Sequence, residues 1–289
     1  MTDNLLSVAN SSPYFLTADD VDVLLLKGAD ATRFLQGQVT ADVEALAIGA
    51  CTPAAALTHK GRAYALFWLL KRDAETYVLV LNSGVGEVLT TQLRKYLPFY
   101  KCQFTKELDG EFLLTVGAEL REGEHLACVL GEAPHTVAYW LPTGSDLSGL
   151  TAGLTRGDAR RWLTDAVLLG HFPFTPADAE LYTAAELNLD AHGYVSYEKG
   201  CYTGQEIVAR MHYRGKVKKQ LYRLELADLV DADNLTLRDA DGNDIGSVLK
   251  ALPLGAAQWR ALAFLPTEAV DGERRPVPSA GRLVDCAPL

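Results

Sequence analysis

Lys199 to Glu206 read KGCYTGQE, a lone cysteine between two glycines, with a lysine before it and an amide–acid pair after it. Two readings of these residue types stand open. A thiol just before a helix N-terminus feels the positive end of the helix dipole, and Lys199 and Arg210 add positive charge; together these favour the thiolate, the nucleophilic and metal-binding form. Cysteine is equally among the most buried residue types, and Cys201 would then simply fill a tight turn. His212 lies beyond the helix start, so acyl transfer of the papain type lacks an evident base.

The flanking pattern predicts the elements that hold this cysteine. YVSYEKG before it alternates like a strand and QEIVARMHY after it begins like a helix, which puts Cys201 on a strand-to-helix turn. Thr203 and Glu206 match the T-x-x-E capping box, and Gly200 and Gly204 permit positive φ or close approach of another group. Downstream, Arg210, Arg214, Lys216, Lys218 and Lys219, with Tyr213 and Tyr222, form a basic cluster in an otherwise acidic chain. It suits phosphate or the carboxylate tail of a cofactor, or else is a solvated approach to the next domain. Trp162, in RRWLTDAVLLG, offers a flat face to a heteroaromatic ligand or fills the core.

The rest of the chain reads as an α+β protein. VDVLLL (Val21–Leu26) is a strand, Asp30 a candidate cap, and ATRFLQGQVTADVEAL a helix; RAYALFWLLK and TYVLVLN flank RDAE as a hairpin; Asn82 or Ser83 can cap a helix that Pro98 stops. EFLLTV, HLACVL and TVAYWL add strands, followed by a helix around Arg156–Leu169. From Lys216 short strands alternate with turn chemistry such as DADGND. The expected domains are a first α+β subdomain over 1–110, a second over 111–215 carrying KGCYTGQE, and a small C-terminal β-barrel over 216–289.

Composition narrows the function classes. The 289 residues carry a formal net charge of −10, which repels nucleic acid and anionic membranes over most of the surface. The N-terminus does not read as a signal peptide and no apolar run spans a bilayer, so a cytoplasmic protein is expected. Five scattered cysteines without C-x-x-C suit free thiols in a reducing compartment and no metal site held by one chain. SGVGEV lacks the third glycine of a dinucleotide fingerprint, and DADGND lacks the glycine and glutamate of a calcium loop.

KGCYTGQEIVARMHYRG, taken with FLQGQVTADV at Phe34–Val43 and HKGR at His59–Arg62, closely resembles the YgfZ family of folate-binding proteins, relatives of the T-protein of the glycine cleavage system. The resemblance runs in order through nearly the whole chain. It implies two α+β subdomains and a C-terminal β-barrel arranged as a ring, with tetrahydrofolate or a derivative in the central opening. It further implies partnership with iron–sulfur proteins or their cluster-assembly machinery, including enzymes that thiolate tRNA. On that resemblance Cys201 is the functional thiol, set in a motif of Lys199, Gly200, Tyr202, Thr203, Gly204, Gln205 and Glu206, and Trp162, Arg210 and Arg214 are the candidate folate contacts.

The chain departs from T-proteins at informative places. Gly61 is followed by RAYA, so Tyr64 and Ala65 replace an acidic pair used in aminomethyl transfer, a reaction that needs a carboxylate near the folate nitrogen. Leu168 stands two residues before Gly170, where T-proteins have a folate-gripping glutamate. Relative to the YgfZ family itself, Val21 replaces a tryptophan and Ala184 a proline. The leading expectation is a folate-binding accessory protein of iron–sulfur cluster biogenesis or repair. The rivals are a tetrahydrofolate-dependent one-carbon transferase relying on Asp42 or Glu206, and a tRNA-binding module built on Arg210 to Lys219, against which the net charge counts.

Overall fold

The computed structural model describes residues 12–123, 125–132, 134–215, 219–232, 235–255, 257–267 and 275–289. The N-terminal stretch through residue 11, Lys216 and Lys218 of the basic cluster, and the Arg214 side chain lie outside this description. Among the described residues the chain divides into two compact units, a larger one of 12–184 and 189–210 and a smaller one of 185–188 and 211–289.

The larger unit begins with β1 (Tyr14–Thr17) and β2 (Val21–Lys27), then α1 (Ala31–Gln38) and the antiparallel run β3 (Cys51–Leu57), β4 (Ala63–Lys71) and β5 (Thr76–Asn82). The β4–β5 hairpin forms where its aromatic and β-branched residues predict it. After α2 (Val85–Leu93) and a 3-10 turn at Leu97–Phe99 come β6 (Gln103–Thr105), β7 (Gly110–Val116), β8 (Leu126–Glu132) and β9 (His135–Pro142). Then follow α3 (Ser148–Thr151), β10 (Thr155–Arg156) and α4 (Ala159–Ala166), whose cap Asp158 accepts a hydrogen bond from the Arg161 amide; α5 (Gln205–Arg214) crosses the boundary between the units.

Two five-stranded sheets result, in the orders β3-β4-β5-β2-β6 and β10-β1-β7-β9-β8. Their facing residues, among them Val23, Leu25, Trp68 and Val80 from the first and Leu16, Phe112, Leu114 and Trp140 from the second, share one core with Trp162 and Ala166 of α4. Cys51 on edge strand β3 and Cys128 on edge strand β8 form a disulfide across this sandwich. The expectation of five free thiols is therefore corrected: sheet stacking brings together two cysteines 77 positions apart, a proximity that spacing along the chain does not reveal.

Three local expectations also change. The helix predicted from Ala31 to Leu46 stops at Gln38, because Val39 becomes extended and bridges Ala56. Asp30 precedes α1, but its carboxylate accepts from the Lys101 amide instead of capping α1. Neither Asn82 nor Ser83 caps α2: Gly84 precedes it at φ +83°, and Asp22 of the neighbouring strand accepts from the Gly86 amide.

In the smaller unit, β11 (Lys219–Ala227), β12 (Thr236–Arg238), β13 (Asp244–Gly255), β14 (Gln258–Pro266), β15 (Val277–Pro278) and β16 (Arg282–Pro288) form one sheet, ordered β15-β12-β13-β14-β11-β16. All its pairings are antiparallel, but among the described residues none joins β15 to β16, so the expected small barrel is seen here as a six-stranded sheet. DADGND makes the turn between β12 and β13, with the Asp239 carboxylate accepting from the amides of Asp241 and Asn243. Among the described residues no helix is long and apolar enough to cross a membrane.

Candidate functional site

Three stretches far apart in sequence meet around Cys201, all within the larger unit. The first is the end of α1 and the chain just beyond it, the second the Thr58–Arg62 turn joining β3 to β4, and the third KGCYTGQE itself. Gly204 sits at φ +89°, and a Cβ placed there would lie 2.7 Å from the Thr58 carbonyl oxygen and 3.5 Å from Gly61 Cα. A Cβ placed on Gly61, at φ +71°, would in turn lie 2.8 Å from the Ile207 side chain of α5. Glycine is required at both places, by conformation and by space. The Thr203 amide donates to Gly37 O of α1 at 3.2 Å, closing the third side.

The residues before the cysteine form no strand, contrary to the alternation of YVSYEKG. Their backbone bonds go instead to the extended chain after α1. The Ser196 amide donates to Thr40 O, and the buried Thr40 hydroxyl lies 2.5 Å from Tyr194 O while accepting from the Ala55 amide. Lys199 is only 7% exposed, and its Nζ donates to Val39 O at 2.7 Å and Ala41 O at 2.6 Å. The ammonium thus satisfies carbonyls left where α1 stops, and burial pulls its pKa down to about 8 against the opposing pull of Asp42 and Glu44. It also lies over the Tyr202 ring, 5.0 Å from the centroid. Its expected place as a charge beside the thiol becomes that of a lock between the motif and the end of α1.

Tyr202 is buried, and desolvation pushes its hydroxyl up to about 12. The capping box does not form. α5 begins at Gln205, Thr203 Oγ1 reaches toward Gln38 Oε1 at 3.5 Å, and Glu206 is exposed in the first turn. Gly200 has no atom near a hypothetical Cβ and no positive φ, so of the two glycines flanking Cys201 only Gly204 is sterically obligatory. Cys201 is the one exposed free cysteine among the described residues. Cys102 and Cys286 are half-buried, and desolvation pushes both thiols up to about 11.

The other sequence candidates are dispersed. Trp162 is 4% exposed and lies in the core between the sheets, its indole N–H donating to Asn82 Oδ1 at 2.9 Å. Arg210 is exposed on α5. Asp42 Oδ1 accepts from Gln36 Nε2 and the Ala45 amide, which commits it to the turn after α1. Tyr64 and Ala65 are buried at the start of β4. Among the described residues no group of three or more His, Cys, Asp or Glu is arranged to hold a metal. Sequence reasoning passed over Thr40, Gln38 and Gly37, although FLQGQVTADV contains all three; the motif carried the resemblance without showing that it backs the cysteine turn.

No protein-family model matches the chain. Curated proteins do. The tRNA-modifying protein YgfZ of Pectobacterium atrosepticum is 30% identical, with 72% of this chain and 69% of that protein covered. The protein of that name from Shigella dysenteriae is 29% identical, covering 84% and 82% respectively. Among solved structures, the glycine cleavage system aminomethyltransferase T from Bartonella henselae superposes with a TM-score of 0.62 over 90% of this chain and 80% of that one, at 15% identity, a likeness of fold. With its three motif stretches gathered at one turn and a relative of this identity matched over more than two thirds of both chains, the protein belongs to the YgfZ family.

Proposed function

We propose that this protein supports tRNA modification as a folate-associated accessory factor for iron–sulfur proteins, with Cys201 as its working thiol. The observation that carries the reading is the contrast among the free cysteines: Cys201 is exposed on a turn backed from three sides, whereas Cys102 and Cys286 are half-buried. A turn held by Gly204, Lys199 and the Thr203 amide presents the sulfur at low conformational cost. The name of the relatives, tRNA-modifying protein, supports the tRNA-modification part of the reading, and the T-protein-like fold supports its association with folate.

A folate fits the residues present only in part. Trp162 has no open face and its indole N–H is already engaged, Leu168 is apolar, and Tyr64 and Ala65 offer no carboxylate. The thiol itself suits transient metal ligation or exchange with a client sulfur.

Complementation tests the reading. Cells lacking their own homologue receive wild type or an equally abundant Cys201→Ser, and an iron–sulfur-dependent tRNA thiolation is assayed under oxidative stress. Rescue by wild type alone is expected. Equal rescue by both would make the cysteine structural, and rescue by neither would withdraw the assigned role.

A further inference from the structure

A second feature of the larger unit lies beside the cysteine turn and does not depend on the role of Cys201. The Thr58–Arg62 turn, the end of α2 and the segment around Glu180 enclose a cleft of about 360 Å³. Among the described residues the cations Lys60, Arg62 and Lys95 line it, together with His59. Glu180, the one carboxylate on its wall among the described residues, accepts from Gln92 Nε2 at 3.0 Å. Arg62 spends one nitrogen on the carbonyl oxygens of Glu180 and Leu181, neither of them an anion. Among the described residues, neither Lys60 nor Lys95 has a carboxylate within ion-pair distance. The cleft is thus locally cationic in a chain whose net charge is −10.

The backbone around it is specialised. Pairing between β3 and β4 passes from Ala56↔Ala65 to Leu57↔Ala63, which leaves Tyr64 as the extra residue of a bulge, a device that re-aims a side chain. Tyr64 lines the cleft, and burial, with Tyr96 and Glu180 nearby, raises its pKa well above the ordinary value, so its hydroxyl stays a neutral donor. Glu180 holds φ +65°, uncommon for a residue with a side chain, and its amide is tied to Ala63 O at 2.8 Å. Strain of this kind persists where surrounding bonds over-determine it, and it clusters at ligand clamps.

We propose that this cleft binds a small polyanion, a phosphate- or carboxylate-bearing molecule with at least two negative charges. Lys60 and Lys95 contribute the charge, Arg62 and the Tyr64 hydroxyl directed donors. Glu180 and Gln92 accept from hydroxyl or amine groups of the same ligand. Thr203 also lines the cleft, so the bound anion abuts the turn that carries Cys201.

Titration calorimetry of the full chain at constant ionic strength tests this, with inorganic pyrophosphate and citrate as probes and chloride as the reference. Wild type and Lys106→Gln, a lysine that does not line the cleft, should bind one of the probes saturably. Lys60→Gln/Lys95→Gln should bind it at least about tenfold more weakly, since a charged hydrogen bond is worth that much. Pyrophosphate binding alone assigns the phosphate class and citrate alone the carboxylate class. Should the double variant fail to fold, protection of Lys60 and Lys95 from acetylation by the same probes, read by mass spectrometry on wild type, replaces it. Absence of saturable binding up to 10 mM (about 3 kcal/mol of affinity), equal binding by a folded double variant, or unprotected lysines would overturn the proposal.

Discussion

At the scale of single residues, Gly204 and Lys199 decide whether KGCYTGQE holds its shape. Gly204→Ala puts a methyl group 2.7 Å from the Thr58 carbonyl at a φ that disfavours any side chain, and about 1–3 kcal/mol of stability should be lost. Gly200→Ala enters open space and should change stability by less than about 0.5 kcal/mol. Urea unfolding of the two variants checks the pair, and equal effects would show that the turn is not wedged between Thr58 and Gly61. Lys199 makes a pH-dependent claim. Its folded pKa of about 8 lies below the ordinary 10.5, so between those values the unfolded chain binds the extra proton and stability rises with pH. The cost of burying the charge is fully present below pH 8 and fades toward 10.5. Compared with Lys199→Met, wild type should therefore gain stability between pH 8 and 10.5. A flat difference would place the ammonium in water, outside the α1 carbonyls. Neither residue's part could be read locally: the sequence showed a lysine beside a thiol, and only the fold turns its head toward Val39 and Ala41.

At the scale of elements, what was legible follows the range of the forces. β4, β5, β7 and β9 carry runs of buried apolar and aromatic residues, and sequence reading found them because that pattern is local. The end of α1 and the segment before Cys201 were misread because each satisfies its backbone with the other, through Thr40, Ser196 and Lys199, across more than 150 positions. Helix propensity and strand alternation cannot register such bonds. The disulfide between the edge strands β3 and β8 is hidden for the same reason. It yields a prediction of its own. Thiol titration of the unfolded, unreduced chain should find three reactive cysteines of the five. Opening a loop of this length, by Cys51→Ser or Cys128→Ser, should cost about 2–4 kcal/mol in denaturant unfolding. Five titrating thiols would restore the reduced chain that the scattered cysteines suggested.

At the scale of the whole molecule, charge separates two ways in which the role in tRNA modification proposed above could be served. A protein that grips tRNA directly needs a cationic face, since neutralised phosphates supply most of the affinity. Here acidic residues outnumber basic ones by 37 to 27, and several cations are already paired internally, Lys27 and Arg72 with Asp109, Arg156 with Asp20, and Arg260 with Glu225. The cluster beginning at Arg210 and the cleft at Lys60 and Lys95 are local exceptions, the latter sized for a small anion. Filter binding of tRNA should therefore give a dissociation constant no tighter than about 10⁻⁶ M at roughly 200 mM salt, within the range of non-specific contact. That outcome would agree with the proposed accessory role, in which the protein meets enzymes and not tRNA itself. Tighter binding that survives this salt would mean specific contacts beyond charge, and would move the weight to the exposed residues of α5 as an RNA-contacting surface, with Arg210→Gln as the first variant to weaken it.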